Sequence, residues 1–139
     1  VDDHSRVGFA QMAADEKKRT ASAFLRSSVA YYRHLGITVR GVMTDNGPAF
    51  HSKIFARTCQ ALGVRHLFTK PYRPQTNGKA ERFIRTLLTG WAYGAIYRSS
   101  DHRTAALDGW LGYYNHQRPH AALGRQPPVT RTNALGSYT

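Results

Sequence analysis

Two carboxylates in this 139-residue chain have the type and spacing of a metal site. Asp45 follows a predicted strand, Glu81 lies in the first turn of a predicted helix, and 35 residues separate them. Carboxylate oxygens are hard ligands that suit Mg²⁺ or Mn²⁺. Two such ions can activate a water molecule or a 3′-hydroxyl and stabilise the leaving oxygen in phosphodiester chemistry. The pair therefore indicates metal-dependent chemistry on nucleic acid strands.

Each carboxylate also has an ordinary structural interpretation. The sequence Asp45-Asn46-Gly47 is a common turn signal, and Glu81 in a first helical turn complements the helix dipole. Taken singly, each residue fits its structural role better than a metal site. The two together, at this spacing in a basic chain, favour the metal site.

The charge of the chain favours a polyanionic partner. It carries 20 Lys and Arg residues against 8 Asp and Glu, a formal charge of +12, which favours nucleic acid. An acidic membrane surface is disfavoured because the basic residues form no juxtamembrane cluster, and no stretch approaches the ~20 apolar residues of a membrane helix. The single cysteine, Cys59, excludes a disulfide framework and a cysteine-rich zinc module, and its place on an apolar helical stripe predicts burial.

Strands alternate with helices along the chain, which predicts an α/β layer with a largely parallel portion. The predicted strands cover residues 7–12, 37–43 and 64–68. The predicted helices cover residues 20–35 and 52–62, a long stretch from about Lys79, and a last helix capped by Ser100 or Asp101. A Pro- and Gly-containing loop, residues 69–78, precedes the long helix.

Three motifs carry a resemblance to a known family. They are TDNG at 44–47, PYRPQTNGKAERF at 71–83, and YYNHQRPH at 113–120 followed by LG at 123–124. The first two resemble the catalytic core of the retroviral integrase superfamily, whose D,D(35)E pattern has the separation seen here. The third resembles the closing motif of bacterial insertion-sequence transposases, and the chain as a whole is most similar to the IS481-like group, with the IS3-like group next.

The resemblance implies an RNase H-like fold, a mixed sheet flanked by helices. It also implies three carboxylates that hold two divalent ions, Mg²⁺ or Mn²⁺, with Asp45 as the second acid and Glu81 as the third. The implied reactions are hydrolysis at the ends of a mobile element and transfer of the freed 3′-OH to target DNA. DNA and further copies of the chain are the implied partners, with no small-molecule cofactor, in a bacterial cytoplasm at the nucleoid.

No residue matches the first acid of the family, which lies on its first, central strand. We therefore expect an N-terminally truncated core at 1–118 and a C-terminal tail at 119–139. Asp2 and Asp3 fit a strand-end or turn role better than a ligand role. A non-catalytic DNA-binding fragment or relic is the alternative function. An RNase H-like nuclease without strand transfer is disfavoured because the loop and closing motif resemble those of transposases.

Several residues near the two acids are predicted to contact DNA. Lys79 lies in a first helical turn, where backbone N–H groups also favour phosphate, and Arg85 follows Glu81 by one turn on the same helix face. The ring of Tyr72 can stack on a terminal base. The full predicted set is Asn46, Lys70, Tyr72, Arg73, Gln75, Asn77, Lys79 and Arg85. Packing is favoured over DNA contact for residues 114–120, and Trp91 and Trp110 are predicted core aromatics.

Overall fold

A computed structural model describes residues 1–13, 15–69, 78–92 and 97–132. The chain forms two compact units, which we call the central unit (Ala13–Gly78) and the terminal unit (Val1–Met12 with Lys79–Thr139). No helix in the described ranges is long and apolar enough to cross a membrane.

The central unit packs two helices against a small parallel sheet. The sheet pairs β1 (Gly41–Thr44) with β2 (Arg65–Phe68), with Met43 opposite Leu67. The helices are α1 (Lys18–His34) and α2 (Lys53–Leu62), and a 3₁₀ turn (Pro48–His51) links β1 to α2. The order helix, strand, helix, strand of this region was predicted, although β1 is confined to the last part of the predicted 37–43 segment and extends one residue beyond it.

Local signals in the sequence set the ends of these helices. The Ser52 hydroxyl caps α2 by accepting from the Phe55 N–H at 3.1 Å, and Gly63 ends that helix with φ +67°. Gly36 follows α1 with φ +82°, a conformation that an L side chain rarely adopts. The predicted helices are confirmed to within two residues at each end.

The core of the central unit lies between the two helices. Its buried members are Leu25, Val29, Phe55, Cys59 and Val64. Apolar residues at helical spacing on both helices face each other, so their burial stabilises the helices and the sheet together. The predicted burial of Cys59 is confirmed, and desolvation raises the pKa of its thiol.

The terminal unit combines a non-helical N-terminal segment, residues 1–12, with helices from the later part of the chain. It contains α3 (Gly78–Leu87), which runs into a π-helical segment (Leu88–Ala92), and α4 (Ser100–His116), followed by 3₁₀ turns at Ala121–Leu123 and Pro128–Arg131. The cap of α4 is Ser99, whose hydroxyl accepts from the His102 N–H at 3.1 Å, so the predicted cap at Ser100 or Asp101 was wrong by at least one residue.

Aromatic and aliphatic side chains from α3, the π-helical segment and α4 form the core of this unit. Its buried members are Phe83, Trp91, Ala92, Leu107, Leu111 and Tyr114, and Trp110 packs against them. The core role of both tryptophans is confirmed. The apolar residues of α3 and the π-helical segment are not all buried, because Ile84 and Leu88 are 51% and 39% exposed. A π turn takes an extra residue, so residues beyond Leu87 depart from regular α-helical spacing.

A side chain replaces a strand partner in the N-terminal segment. The predicted strand at residues 7–12 was wrong, because the structure has no strand there. Instead the fully buried Asn115 accepts from the Gly8 N–H at 2.8 Å and donates to the Gly8 carbonyl at 2.9 Å. Glycine is required at position 8, since an added Cβ would lie 2.1 Å from the Phe83 ring. One amide thus satisfies both polar groups of a buried peptide.

The closing segment packs against α4. Tyr114 and Asn115 are buried, and the rings of Tyr114 and His120 meet edge to face at 4.8 Å between centroids. Leu123 and Pro128 are buried as well. The packing interpretation is therefore confirmed for Tyr114 and Asn115.

We predict that Asn115→Ala lowers the free energy of unfolding by about 2–4 kcal/mol, because the N–H and C=O of buried Gly8 both lose their partner. Urea denaturation measures this. The matched control is His116→Ala, an exposed position in the same helical turn, which should change stability by about 0.5 kcal/mol or less. Equal stabilities of the two variants would contradict the assigned role of Asn115.

Candidate functional site

Asp45 lies immediately beyond the carboxyl end of β1 and is exposed. Its Oδ1 accepts from the Gly47 N–H at 2.8 Å, which closes a tight turn after the strand. Carboxyl ends of parallel strands are where open α/β sheets collect functional residues, because the chain must turn away there. The turn interpretation and the site interpretation of Asp45 are therefore compatible.

The backbone at Asp45 is fixed by a hydrogen-bond relay from β2, formed by His66 and Thr44. The Thr44 hydroxyl donates to the Asp45 carbonyl at 2.9 Å, and His66 Nε2 lies 2.8 Å from the same hydroxyl. A hydroxyl has one proton, which is already donated, so Thr44 accepts from the ring. This arrangement predicts the Nε2–H tautomer for a neutral His66.

An aromatic cluster surrounds this relay. The Phe68 ring stacks on His51 at 4.2 Å between centroids with a 6° interplanar angle, and lies 4.2 Å from His66. Phe55 meets His66 edge to face at 4.9 Å. Desolvation, followed by the charge of His51, lowers the pKa of His66, so the neutral ring is favoured at neutral pH.

Asn46 ties the turn to the end of β2. Its Nδ2 donates to the Thr69 carbonyl at 2.9 Å, and its Oδ1 lies 3.3 Å from His51 Nε2. Both ends of the amide thus hold the turn in place. The DNA contact predicted for Asn46 stays a prediction, and it would have to share these groups.

Glu81 lies in the first turn of α3, where it is exposed, and Arg85 is exposed one turn later. Lys79 is held at the start of the same helix. Its Nζ lies 2.6 Å from Asp3 Oδ1 and donates to the Asp3 carbonyl at 3.0 Å. The N-terminal segment therefore fixes a cation two residues before Glu81.

The two N-terminal aspartates have structural partners. The Asp2 carboxylate accepts from the Ser5 N–H at 2.9 Å and from its hydroxyl at 2.5 Å, which closes a turn. Asp3 pairs with Lys79. These contacts fit the expected turn role. Within the described ranges, no group of three or more His, Cys, Asp or Glu residues is arranged to hold a metal ion.

Several predicted site residues lie outside the described residues, namely Lys70, Tyr72, Arg73, Gln75 and Asn77. Among the rest, the structure places Asp45 and Asn46 in the central unit, and Lys79, Glu81 and Arg85 in the terminal unit. Asp45 and Glu81 both offer an exposed carboxylate, the donor type that Mg²⁺ and Mn²⁺ prefer.

Sequence reasoning missed the supports of the Asp45 turn, which are Thr44, His51 and His66. The register of β1 against β2 pairs Val42 with His66 and Thr44 with Phe68. These residues share a sheet face only in that register, which a single sequence does not specify. The alternation of residues in a short strand could have suggested which residues share a sheet face, but not which strand pairs with it.

Comparison with known proteins identifies the family. Models of the integrase core domain match residues 1–74 and 62–128. The chain is 33% identical over 90 residues to an uncharacterized 39.2 kDa protein of insertion element IS476 from Xanthomonas euvesicatoria, covering 65% of this chain and 26% of that protein. The chain thus spans about a quarter of the length of this relative.

Solved structures show the same fold. The catalytic core domain of BIV integrase matches with a TM-score of 0.69 and 26% identity, over 91% of this chain and 77% of that one. A simian T-cell lymphotropic virus intasome in complex with the PP2A regulatory subunit B56 gamma matches with a TM-score of 0.68 and 26% identity, over 88% and 43% of the respective chains. The expected RNase H-like, integrase-core fold is confirmed.

We predict that neutral His66 is the Nε2–H tautomer and titrates below the ordinary histidine pKa of ~6.5. Because the unfolded chain then binds the proton more tightly, His66 contributes stability above that pH, and this is lost as the pH falls. Nitrogen-detected NMR during a pH titration measures both properties. The Nδ1–H tautomer in wild type would contradict the relay, and Thr44→Val should abolish the Nε2–H preference.

Proposed function

The chain belongs to the integrase core domain family, and from this premise we propose that it is the catalytic core of a DDE transposase of the IS481-like group. The proposed reactions are hydrolysis of a phosphodiester at an element end and transfer of the freed 3′-OH to target DNA. One observation carries the proposal. An exposed aspartate lies immediately beyond a parallel strand within TDNG, and the family match continues through α3, whose first turn contains Glu81.

Asp45 and Glu81 are the residues proposed to hold divalent ions. When bound, Mg²⁺ or Mn²⁺ lowers the pKa of the attacking water or 3′-hydroxyl and neutralises charge on the phosphate. In each step the attacking oxygen of water or of a 3′-hydroxyl forms a bond to phosphorus, and the bond to the leaving 3′-oxygen breaks. The role of the Asp45 turn is to keep its carboxylate in one orientation, through the Thr44 and Gly47 hydrogen bonds.

The cations of α3 are proposed to bind the DNA backbone beside Glu81. Arg85 is exposed one turn from Glu81, and Lys79 is oriented by Asp3. The loop residues Lys70, Tyr72, Arg73, Gln75 and Asn77 complete the proposed DNA contacts. Contacts to phosphate fix the position of the DNA without reading its sequence, so binding should weaken as salt rises.

The whole protein is proposed to act as a homo-oligomer in the bacterial cytoplasm, at the nucleoid. Joining two element ends in one event requires at least two active subunits. The similarity to an integrase in an intasome and to an insertion-element protein supports this proposal.

A non-catalytic DNA-binding role is the second candidate. It is favoured by the contacts of Asp2 and Asp3, whose carboxylates serve a turn and an ion pair. In that case the chain would bind DNA without cleaving it.

We predict that the chain nicks supercoiled plasmid with Mg²⁺ or Mn²⁺, and that Asp45→Asn and Glu81→Gln each lower the rate at least about 100-fold. Such a loss corresponds to about 2.7 kcal/mol of transition-state stabilisation, within the range of a lost metal ligand. Agarose electrophoresis of plasmid forms measures the rate.

The matched control is Asp108→Asn, which removes the same charge from an exposed position on α4. It should nick at the wild-type rate. Absence of nicking together with salt-dependent DNA binding would replace the catalytic proposal with the non-catalytic one. Nicking that survives both substitutions would contradict the assignment of Asp45 and Glu81.

A further inference from the structure

The positive charge of the chain is concentrated in the central unit. Residues 13–78 contain eleven of the 20 Lys and Arg residues but three of the 8 Asp and Glu residues. Helix α1 contributes Arg19, Arg26 and Arg33 and contains no acidic residue. This helix lies outside the motifs that identify the family.

The three arginines share one side of α1. They are seven residues apart, which is close to two helical turns, so successive side chains are about 10.5 Å apart along the helix axis. All three are exposed, whereas Leu25 and Val29 turn into the core. We call Arg19, Arg26 and Arg33 the arginine stripe.

Small residues separate the members of the stripe. Ala23 and Ala30 lie between the arginines on the same side of the helix and are exposed. Each is one turn from the arginine before it, so the long guanidinium arms have no bulky neighbour between them along this row. The backbone of an extended polyanion can therefore approach the helix closely between the arginines.

No carboxylate neutralises the stripe within the described part of the chain. The ion pair found there joins Lys79 to Asp3, in the terminal unit. Asp15, just before α1, accepts from the Lys17 N–H instead. Unneutralised guanidinium groups in a row repel one another, and a polyanion removes that repulsion.

We propose that the arginine stripe is a binding site for the phosphate backbone of DNA. The stripe extends about 21 Å, the length of about six base-pair steps, and guanidinium groups bind phosphate oxygens in bidentate fashion. The central unit of a second copy is a poor occupant of the stripe, because it offers three acidic residues against eleven basic ones. The proposal rests on DNA as the substrate and adds a contact surface on a different helix from Lys79, Glu81 and Arg85.

The test compares salt dependence of DNA binding in EDTA, where catalysis does not contribute. Fluorescence anisotropy with a labelled 30-base-pair duplex gives Kd at several KCl concentrations. If each arginine neutralises one phosphate, replacing all three with Gln makes the slope of log K against log salt shallower by about 2.7. Arg→Lys at the same positions should restore most of the slope, because a point charge still binds phosphate.

The matched control replaces Arg98, Arg125 and Arg131, three exposed arginines of the terminal unit, with Gln. It removes the same charge and should leave the slope within about 1 of the wild-type value. An equal decrease of the salt slope in both variants would show that net charge alone causes the effect, and this would overturn the proposal. An unchanged slope in the stripe variant would overturn it too, even if sedimentation showed altered self-association. Failure of the wild-type chain to bind DNA at all would instead contradict the proposed function itself.

Discussion

The parallel pairing of β1 with β2 is the constraint on which the geometry of the Asp45 turn depends. Because the two strands run in the same direction, both leave the sheet at one edge, and the Asp45 turn lies beside the end of β2. The Thr69 N–H donates to the Thr44 carbonyl at 2.8 Å, and the Thr69 carbonyl accepts from Asn46. The sheet therefore holds the backbone on either side of Asp45, while its carboxylate stays exposed.

In the terminal unit, a side chain and not a strand partner holds the backbone in place. Asn115 satisfies the backbone of Gly8 and so attaches the N-terminal segment to α4, while Asp3 of the same segment holds Lys79 at the start of α3. Packing of Gly8 against Phe83 leaves no room for a larger residue. The closing motif is thus structural at Asn115, where it holds the N-terminal segment.

The helices and the family were predictable from sequence because their signals are local. Ser52 and Gly63 set the ends of α2 through contacts within a few residues along the chain. Asp45 and Glu81 lie in sequence motifs that can be recognised without a structure. The supports were not predictable, since His66 reaches Thr44 only through strand register. The segment at 7–12 was mistaken for a strand because its alternation matched one, whereas its partner is a side chain 107 residues away.

We propose that Asp45 and Glu81 are both ligands of divalent ions, and Mn²⁺-induced broadening of carboxyl resonances tests this assignment most directly. In the full chain with ¹³C-labelled Asp and Glu side chains, substoichiometric Mn²⁺ should broaden the Asp45 and Glu81 signals together. Asp101 and Asp108, two exposed carboxylates of α4, should stay sharp. Broadening of only one of the two acids, or of all exposed carboxylates equally, would contradict the assignment of both as metal ligands.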